Sequence, residues 1–263
     1  MDALDVYVDG IGFWTPGVPD WPSLRRVLEG GEAVAANANA KPSPNRLPPT
    51  ERRRAPEPVL LASEAAGQAC AMAGSDVSAL ACVFTSTHGD LAITDAMCAT
   101  LAADPRELSP TRFHNSVHNA AAGYWSIAYG CAEPSTALCA HDASFGAGLL
   151  EAAALLATGA NAVLLIAYDA DYPPPLRAVR RIPDAFGIAL VLVANDADNL
   201  ARLQLELTAA APGTMNDRAL EALRVSIPAA RSLPLLECVA GRKGGTVILD
   251  YLNDTRLAVR VEV

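Results

Sequence analysis

The residues best suited to chemistry in this chain are its histidines, all four of which lie between residues 88 and 141. His88 and His141 each follow a predicted strand, in TSTHGD and CAHDASFG. Ligands of α/β proteins bind outside the carboxyl ends of strands, so this placement indicates a site there. His114 and His118 are four residues apart and could share a helix face. No third ligand is visible in the sequence, and we predict neither a metal nor a cofactor.

The segment PSTALCAHDASFGAG, residues 134–148, predicts a strand, a sharp turn and a helix. The positive end of the helix dipole faces such a turn, where it lowers the pKa of a thiol and backbone N–H groups can stabilise an oxyanion. The turn carries His141, Asp142 and Ser144. They could form an acid, base and nucleophile set, but adjacent residues of one turn point apart. Asp142 as a helix-capping acid is the competing interpretation.

The elements that position this turn alternate between strands and helices. Apolar and polar residues alternate along residues 4–13, which predicts a strand, and short apolar runs further along the chain predict more strands. Longer apolar stretches predict helices. The strands are 4–13, 80–85, 135–140, 162–168, 186–194 and 202–207, and the helices are 59–73, 91–102, 115–129 and 144–157. This order predicts an α/β fold with a mixed, mostly parallel sheet covered by helices. A further hairpin is expected around Asn253-Asp254.

We expect a domain over residues 1–210 and a C-terminal extension over residues 211–263 that packs on the same domain. Residues 30–58 are rich in proline and predict an extended loop. The run Arg52–Arg54 lies inside this loop. It is either a solvated face or a docking patch for an acidic partner.

Composition excludes several classes of function. The chain has 263 residues, 51% of them hydrophobic, which is enough for one large core. Its net charge of −9 gives no basic footprint for nucleic acid. No apolar run approaches the ~20 residues that span a bilayer, and the start MDALDVYVDG lacks the features of a signal peptide, so we expect a cytoplasmic protein. The six cysteines show no CxxC spacing and predict reduced, buried thiols, with Cys139 in the core.

The region before the turn resembles a known pattern. It carries NxxAGxxSIxxG followed by Pro-Ser, here Asn119, Ala122, Gly123, Ser126, Ile127, Gly130, Pro134 and Ser135, as ketosynthases do before their active-site cysteine. SPTRFHNSVHNAAAGYWSIAYG and TSTHGD are similar to the short ketosynthase-like N-terminal-domain family of aryl polyene and xanthomonadin-type pigment pathways. The resemblance covers roughly residues 4–208 and implies a thiolase-like fold, as in the N-terminal half of a ketosynthase.

Two departures from the ketosynthase pattern bear on activity. Counting without gaps from Pro134-Ser135 places Asp142 where the nucleophilic cysteine stands, and Cys139 falls three places earlier. A carboxylate is a poor acyl acceptor, because an acyl anhydride hydrolyses. Ketosynthases also use two histidines from a second half, whereas the sequence after residue 208 contains none. We therefore expect no independent catalysis.

The resemblance then implies a subunit like a chain length factor, which pairs with an active ketosynthase, works with an acyl carrier protein and forms a homodimer when isolated. It assigns a dimer interface and acyl tunnel to Asn115, His118, Asn119, Gly123, Tyr124 and Trp125, and a pocket edge to His88 and Asp90. The alternative is a stand-alone acyltransferase or thioesterase. That enzyme would act on acyl thioesters through His141, Asp142 and Ser144, with His118 as a further candidate.

Overall fold

One eight-stranded sheet forms the centre of the molecule in a computed structural model that describes residues 3–31, 40–195 and 199–263. Its strands are β1 Leu4–Trp14, β2 Ala81–Thr85, β3 Ser135–Leu138, β4 Ala162–Asp169, β5 Phe186–Val193, β6 Ala201–Thr208, β7 Gly245–Asp250 and β8 Arg256–Glu262. The helices are α1 Trp21–Leu28, α2 Pro49–Arg54, α3 Glu57–Ala73, α4 Leu91–Ala103, α5 Pro110–Asn115, α6 Ala120–Tyr129, α7 Ser144–Ala157, α8 Pro174–Arg177, α9 Arg218–Ser226 and α10 Leu233–Ala240.

The strand order is β3-β2-β4-β5-β1-β6-β8-β7. Only β2 with β3 and β2 with β4 pair in parallel, and the other neighbouring strands are antiparallel. The predicted α/β class is confirmed, but the expectation of a mostly parallel sheet is wrong. Helical crossovers occur only around β2, β3 and β4, and each later strand reverses the direction of its neighbour.

Helices cover both faces of the central strands. On one face α3 packs across β1, β4 and β5, and α6 packs beside α3. On the other face α7 packs against β1, β2 and β4 together with α1 and α10. The contact between β1 and α3 depends on Gly12, because a Cβ there would lie 1.8 Å from the carbonyl oxygen of Ala65. Only glycine allows so close an approach.

Residues 211–263 extend the sheet. β8 pairs with β6 from Arg256 opposite Thr208 to Glu262 opposite Arg202, and β7 pairs with β8. The predicted hairpin around Asn253-Asp254 is confirmed, and the Leu252 N–H donates to the Thr255 carbonyl at 2.8 Å. The end of β7 packs against the first turn of α7, because a Cβ on Gly146 would lie only 2.3 Å from the Asp250 carbonyl oxygen. The β7–β8 hairpin therefore lies close to the turn that follows β3.

Two stretches differ from expectation. The loop predicted at residues 30–58 contains the helix α2, and α3 already begins at Glu57, while residues 32–39 lie outside the described part of the chain. The single helix predicted at 115–129 is two helices, α5 and α6, separated by residues 116–119. Consequently His114 lies at the end of α5 and His118 in the break, so they do not share a helix face.

Across the described ranges, no helix combines the length and the apolar character that crossing a bilayer requires.

Candidate functional site

The turn after β3 has the predicted strand–turn–helix form. A short 3-10 helix, His141–Ala143, leads directly into α7. His141 has φ 52°, a left-handed conformation that is uncommon outside glycine. The Ser144 hydroxyl stabilises the turn: it donates to the His141 carbonyl at 2.7 Å and accepts from the Ala140 N–H at 3.1 Å. The turn is therefore held by its own hydrogen bonds.

Asp142 projects from this turn into a group of arginines. Its Oδ1 accepts a hydrogen bond from Arg180 Nη2, and its Oδ2 lies 3.6 Å from Arg231 Nη2. The Arg231 side chain is only 14% exposed, so this carboxylate supplies negative charge to a largely desolvated cation. Asp142 thus functions in the monomer as the acid of an ion network.

The network continues into the C-terminal hairpin. Arg231 Nη1 lies 3.3 Å from Asp250 Oδ2, and Arg256 Nε lies 3.8 Å from Asp250 Oδ1. The network therefore joins the turn, the segment after α8, the 3-10 helix Ala229–Ser232 and the β7–β8 hairpin. Its five charged side chains are Asp142, Arg180, Arg231, Asp250 and Arg256. Sequence reasoning missed the last four of these residues, because Arg180, the nearest to Asp142, is 38 positions away.

The set of His141, Asp142 and Ser144 does not have the geometry of a catalytic triad. His141 Nε2 lies 3.0 Å from Arg180 Nη1, and since a guanidinium only donates, this nitrogen accepts the bond. The Ser144 side chain is buried, and the hydrogen bonds observed for its hydroxyl go to backbone groups. Neither an available base nor an exposed hydroxyl is present at the turn.

The other two predicted histidines in this region lie beside the turn. The His88 ring centroid is 6.3 Å from that of His141 and 5.6 Å from that of Tyr172. Partial burial lowers the pKa of His88, and the nearby His141 and Arg180 lower it further. His118 Nε2 lies 3.2 Å from the Ser86 carbonyl oxygen, so this nitrogen is the donor. The two strand ends therefore bring His88 and His141 together, and His118, which was expected to share a helix face with His114, contacts the loop before His88 instead.

A buried carboxylate that the sequence did not reveal lies beneath these histidines. Asp169, at the end of β4, accepts from the Thr87 N–H at 2.9 Å and the Ala229 N–H at 2.8 Å, and Ser86 Oγ lies 3.4 Å away. Burial raises the pKa of Asp169 to about 6, although these hydrogen bonds oppose the rise. Asp169 connects the loop that carries His88 to the 3-10 helix that carries Arg231.

The remaining predicted site residues occupy separate positions. Asp90 caps α4 by accepting from the Ile93 N–H at 2.9 Å, and burial raises its pKa. Asn115 is buried, with its Nδ2 3.5 Å from the Arg54 carbonyl. Asn119 precedes α6 and accepts from the Gly123 N–H through its carbonyl at 3.1 Å.

Gly123, Tyr124 and Trp125 lie on different sides of α6. Trp125 is 1% exposed and stacks on Tyr129 at 3.9 Å between ring centroids, so it belongs to the monomer core. Gly123 and Tyr124 instead line a cavity of about 390 Å3 between α2, α5 and α6. The cavity also includes His114, whose ring centroid is 6.5 Å from that of Tyr124.

The cysteines only partly follow the prediction. All six are free, and Cys70, Cys82 and Cys131 are buried. Cys139 is exposed, so its predicted place in the core is wrong. The reason is that β3 is an edge strand, with one side of its end uncovered. Within the described ranges, no three His, Cys, Asp or Glu side chains are grouped closely enough to hold a metal ion.

The strand, the turn at positive φ and the helix beneath it, set in this mixed sheet, define the thiolase-like class of α/β fold. The chain belongs to the family described as beta-ketoacyl synthase, N-terminal domain, whose model matches residues 28–243. The resemblance seen in the sequence is therefore confirmed. No curated protein matches the chain.

Solved structures share the fold at low sequence identity. A ketosynthase (ApeO) in complex with its chain length factor (ApeC) from Xenorhabdus doucetiae matches with a TM-score of 0.73 and 20% identity, over 98% of this chain and 99% of the other. The ishigamide ketosynthase/chain length factor matches with a TM-score of 0.76 and 14% identity, over 98% and 99%. A type II polyketide synthase acyl-carrier protein in complex with its ketosynthase, AntDE:AntF, matches with a TM-score of 0.78 and 13% identity, over 100% of this chain and 99% of the other.

Proposed function

We propose that the chain is a non-catalytic, chain length factor-like subunit that pairs with an active ketosynthase in type II polyketide or fatty-acid-like synthesis of aryl polyenes. The observation that carries the proposal is the side chain at the turn. In a fold that exposes a nucleophile at this position, Asp142 is bound by Arg180 and lies beside Arg231.

The chemistry of the turn supports a subunit without its own condensing activity. An ion-paired carboxylate is a weaker nucleophile than a free one, and its acyl product would be a labile anhydride. The neighbouring His141 accepts a hydrogen bond from Arg180 and is not free to remove a proton. The alternative of a stand-alone acyltransferase or thioesterase requires an exposed nucleophile at this turn, and Ser144 is buried.

The surface around β3 supports a partner chain. β3 is at the edge of the sheet, so the side facing away from β2 offers unpaired backbone groups. The helix α4, LAITDAMCATLAA, is apolar nearly all around, yet none of its thirteen residues is buried. A helix of that composition is normally covered on all sides, so α4 indicates a surface that another protein covers.

An acyl carrier protein is the second proposed partner. The helix α2 carries Arg52, Arg53 and Arg54 consecutively, in a chain whose net charge is −9. A local cationic surface of this kind attracts an acidic protein and orients its approach. We propose that it does so after the subunit has joined the ketosynthase.

Co-purification with a complete ketosynthase encoded in the same gene cluster tests the proposal. The expected result is a stable one-to-one complex that extends acyl chains on a carrier protein, while the isolated chain turns over no acyl thioester. The proposal fails if no complex forms and the isolated chain hydrolyses or transfers acyl groups. A product of a different chemical class from a polyene, made by an active pair, would contradict only the assignment to aryl polyenes.

A further inference from the structure

The connection between β4 and β5 contains a strap, residues 174–181, that lies beside the turn after β3. The chain is buried on either side of the strap, at Tyr172 and Ile182, which are 6% and 0% exposed. Between these two anchors every residue of the strap is exposed except Arg180, which is half-buried. The strap is therefore fixed at both ends, and along its length only Arg180 reaches inward.

The backbone of the strap does not hold it against the rest of the protein. The strap N–H groups that form turn hydrogen bonds donate to the carbonyls of Pro173 and Leu176, which belong to α8 or directly precede it. Two residues of the strap are prolines, which have no N–H to donate. Among the described residues, no backbone hydrogen bond joins the strap to another element of the fold.

Hydrophobic burial does not hold the strap in place either. Its two large apolar side chains, Leu176 and Val179, are 41% and 82% exposed. A segment with few buried apolar contacts opens at a low free energy unless polar contacts hold it. The position of the strap therefore depends on its polar side chains.

Arg180 supplies the polar contact between the strap and the turn. Its Nη2 donates to Asp142 Oδ1, and its Nη1 lies 3.0 Å from His141 Nε2, which accepts the bond. These two acceptors precede Arg180 by 38 and 39 positions, so the contact joins distant parts of the chain. Hydrogen bonds from a charged group are roughly twice as strong as neutral ones, which suits a single contact that must hold a segment.

The other two arginines of the strap do not reach the turn. Arg177 Nε lies 3.2 Å from Asp171 Oδ1 and 3.2 Å from the Tyr172 carbonyl oxygen, and both of these acceptors lie at the base of the strap. Arg181 is exposed, and it has no hydrogen bond or ion pair with any residue that the structure describes. Within that part of the chain, hydrogen bonding joins the strap to the turn through the Arg180 guanidinium alone.

We propose that residues 174–181 open and close against the turn, that Arg180 is the latch, and that this one contact keeps both His141 Nε2 and the Asp142 carboxylate occupied. With the latch closed, neither group is available for chemistry or for another ligand. When the latch opens, the imidazole nitrogen becomes free to accept a proton, and Asp142 retains Arg231 as its cation. The strap thus controls the chemical accessibility of the turn, whether or not the chain binds a ketosynthase.

Limited proteolysis of the isolated chain tests the latch, because thermolysin cuts accessible chain before apolar residues such as Val179. Arg180→Ala should raise the rate of cleavage within the strap by about fivefold to thirtyfold, since cleavage follows the population of the open form. The matched control is Arg181→Ala, which removes the same charge from the next residue but no contact with the turn. It should change the rate by less than about twofold.

Asp142→Ala breaks the latch from the other side and leaves the sequence of the strap unchanged. It should also raise the rate of strap cleavage, but by less than Arg180→Ala does, because His141 still accepts from Arg180. Adding Asp142→Ala to Arg180→Ala should raise the rate by less than about a further twofold, because the latch is already lost.

Diethyl pyrocarbonate, which modifies unprotonated imidazole nitrogen, gives a second readout at the turn itself. His141 should react at least about fivefold faster in Arg180→Ala than in wild type, because its Nε2 is no longer engaged. His114, which is exposed and remote from the strap in the fold, should keep its wild-type rate. The melting temperature of Arg180→Ala should fall by less than about 8 °C, so that the change remains local.

The proposal is wrong if Arg180→Ala is cut no faster than Arg181→Ala, since the strap would then be held by other contacts. It is also wrong if Arg180→Ala is cut throughout the chain and its melting temperature collapses, since the contact would then support the whole fold. Unchanged reactivity of His141 in a variant with faster strap cleavage would show that the strap does not control the turn. None of these results involves a ketosynthase, so a failure here leaves the proposed function standing.

Discussion

Replacing Asp142 with alanine separates a structural carboxylate from a catalytic one. The change removes the acid that lies between Arg180 and Arg231, whose side chains are 25% and 14% exposed. Exposed ion pairs contribute at most about 1 kcal/mol, whereas breaking a buried pair costs about 3–5 kcal/mol. Asp142 lies between these cases, since its side chain is 38% exposed and Arg231 keeps Asp250 as a second partner. We expect the free energy of unfolding to fall by about 1–2 kcal/mol.

Urea denaturation of the isolated chain at pH 7 measures this loss. The matched control is Glu29→Ala, which removes the acid of a pair with Arg25 whose side chains are 42% and 50% exposed, and it should cost about 0.3–0.5 kcal/mol. Added salt should reduce the Glu29 effect more than the Asp142 effect, because partly buried pairs are screened less. Equal costs for the two variants would refute the reasoning that the network is desolvated.

The same variant has a second readout in the complex. If Asp142 is structural, the ketosynthase pair containing Asp142→Ala should condense acyl groups at a rate within about twofold of wild type, or ~0.4 kcal/mol in activation free energy. A condensation rate that collapses while the complex remains assembled would show that the carboxylate takes part in the chemistry.

Three further predictions concern other parts of the molecule. Asp169→Asn should lower the unfolding free energy by about 1–3 kcal/mol at pH 7, because an amide cannot accept from both the Thr87 and Ala229 N–H groups. The pKa of Asp169 rises from 3.8 to about 6 on folding, so the folded chain binds this proton more tightly than the unfolded chain does. The difference in unfolding free energy between wild type and Asp169→Asn should therefore shrink when urea denaturation is repeated at pH values from 4 up to 7. Glu221→Gln should lower the free energy of unfolding by about 1–3 kcal/mol at pH 7, because hydrogen bonds to Arg224 lower the Glu221 pKa to about 2. Wild type loses this contribution as the pH falls from 4.5 through about 2, so the unfolding free energies of the two proteins should become equal in acid. Gly146→Ala should lower stability by about 1–3 kcal/mol in thermal melts, because the new methyl group would overlap the Asp250 carbonyl; an unchanged melting temperature would contradict this packing.

The hydrophobic pattern of the sequence predicted most of the helices and strands, but it did not predict how the strands pair or which strand lies at the sheet edge. The apolar runs of β4 and β5 and the small-residue helix α7 were identified because burial on both faces leaves a continuous apolar signal. Strand direction left no such signal, and the mostly antiparallel pairing was missed. The break between α5 and α6 was missed because residues 116–119 contain neither proline nor glycine. Cys139 was misplaced because sequence does not reveal which strand is at the sheet edge.

The site was predictable only where its residues are close in sequence. The turn with His141 and Asp142, and the neighbouring His88, followed from strand ends, whereas His118 was expected within a helix and lies in the break between α5 and α6. Arg180 and Arg231 did not, because charged residues on irregular segments show no periodicity and their partner is remote along the chain. Asp169 ends an apolar strand, and its burial depends on Ala229, sixty positions later, which donates to it.

The geometry that makes this turn suitable for a thiolate also explains why aspartate is stable there. The amino end of α7 follows the turn, and the positive end of a helix dipole favours any anion, a carboxylate as well as a thiolate. The cations of Arg180 and Arg231 add to that preference, and the Ser144 hydroxyl holds the backbone whichever side chain follows His141. A carboxylate at this position therefore keeps the local charge while being a much weaker nucleophile toward a thioester. The aspartate is therefore accommodated at this turn by the same charges and backbone hydrogen bonds, with no change in the strand, the turn or the helix.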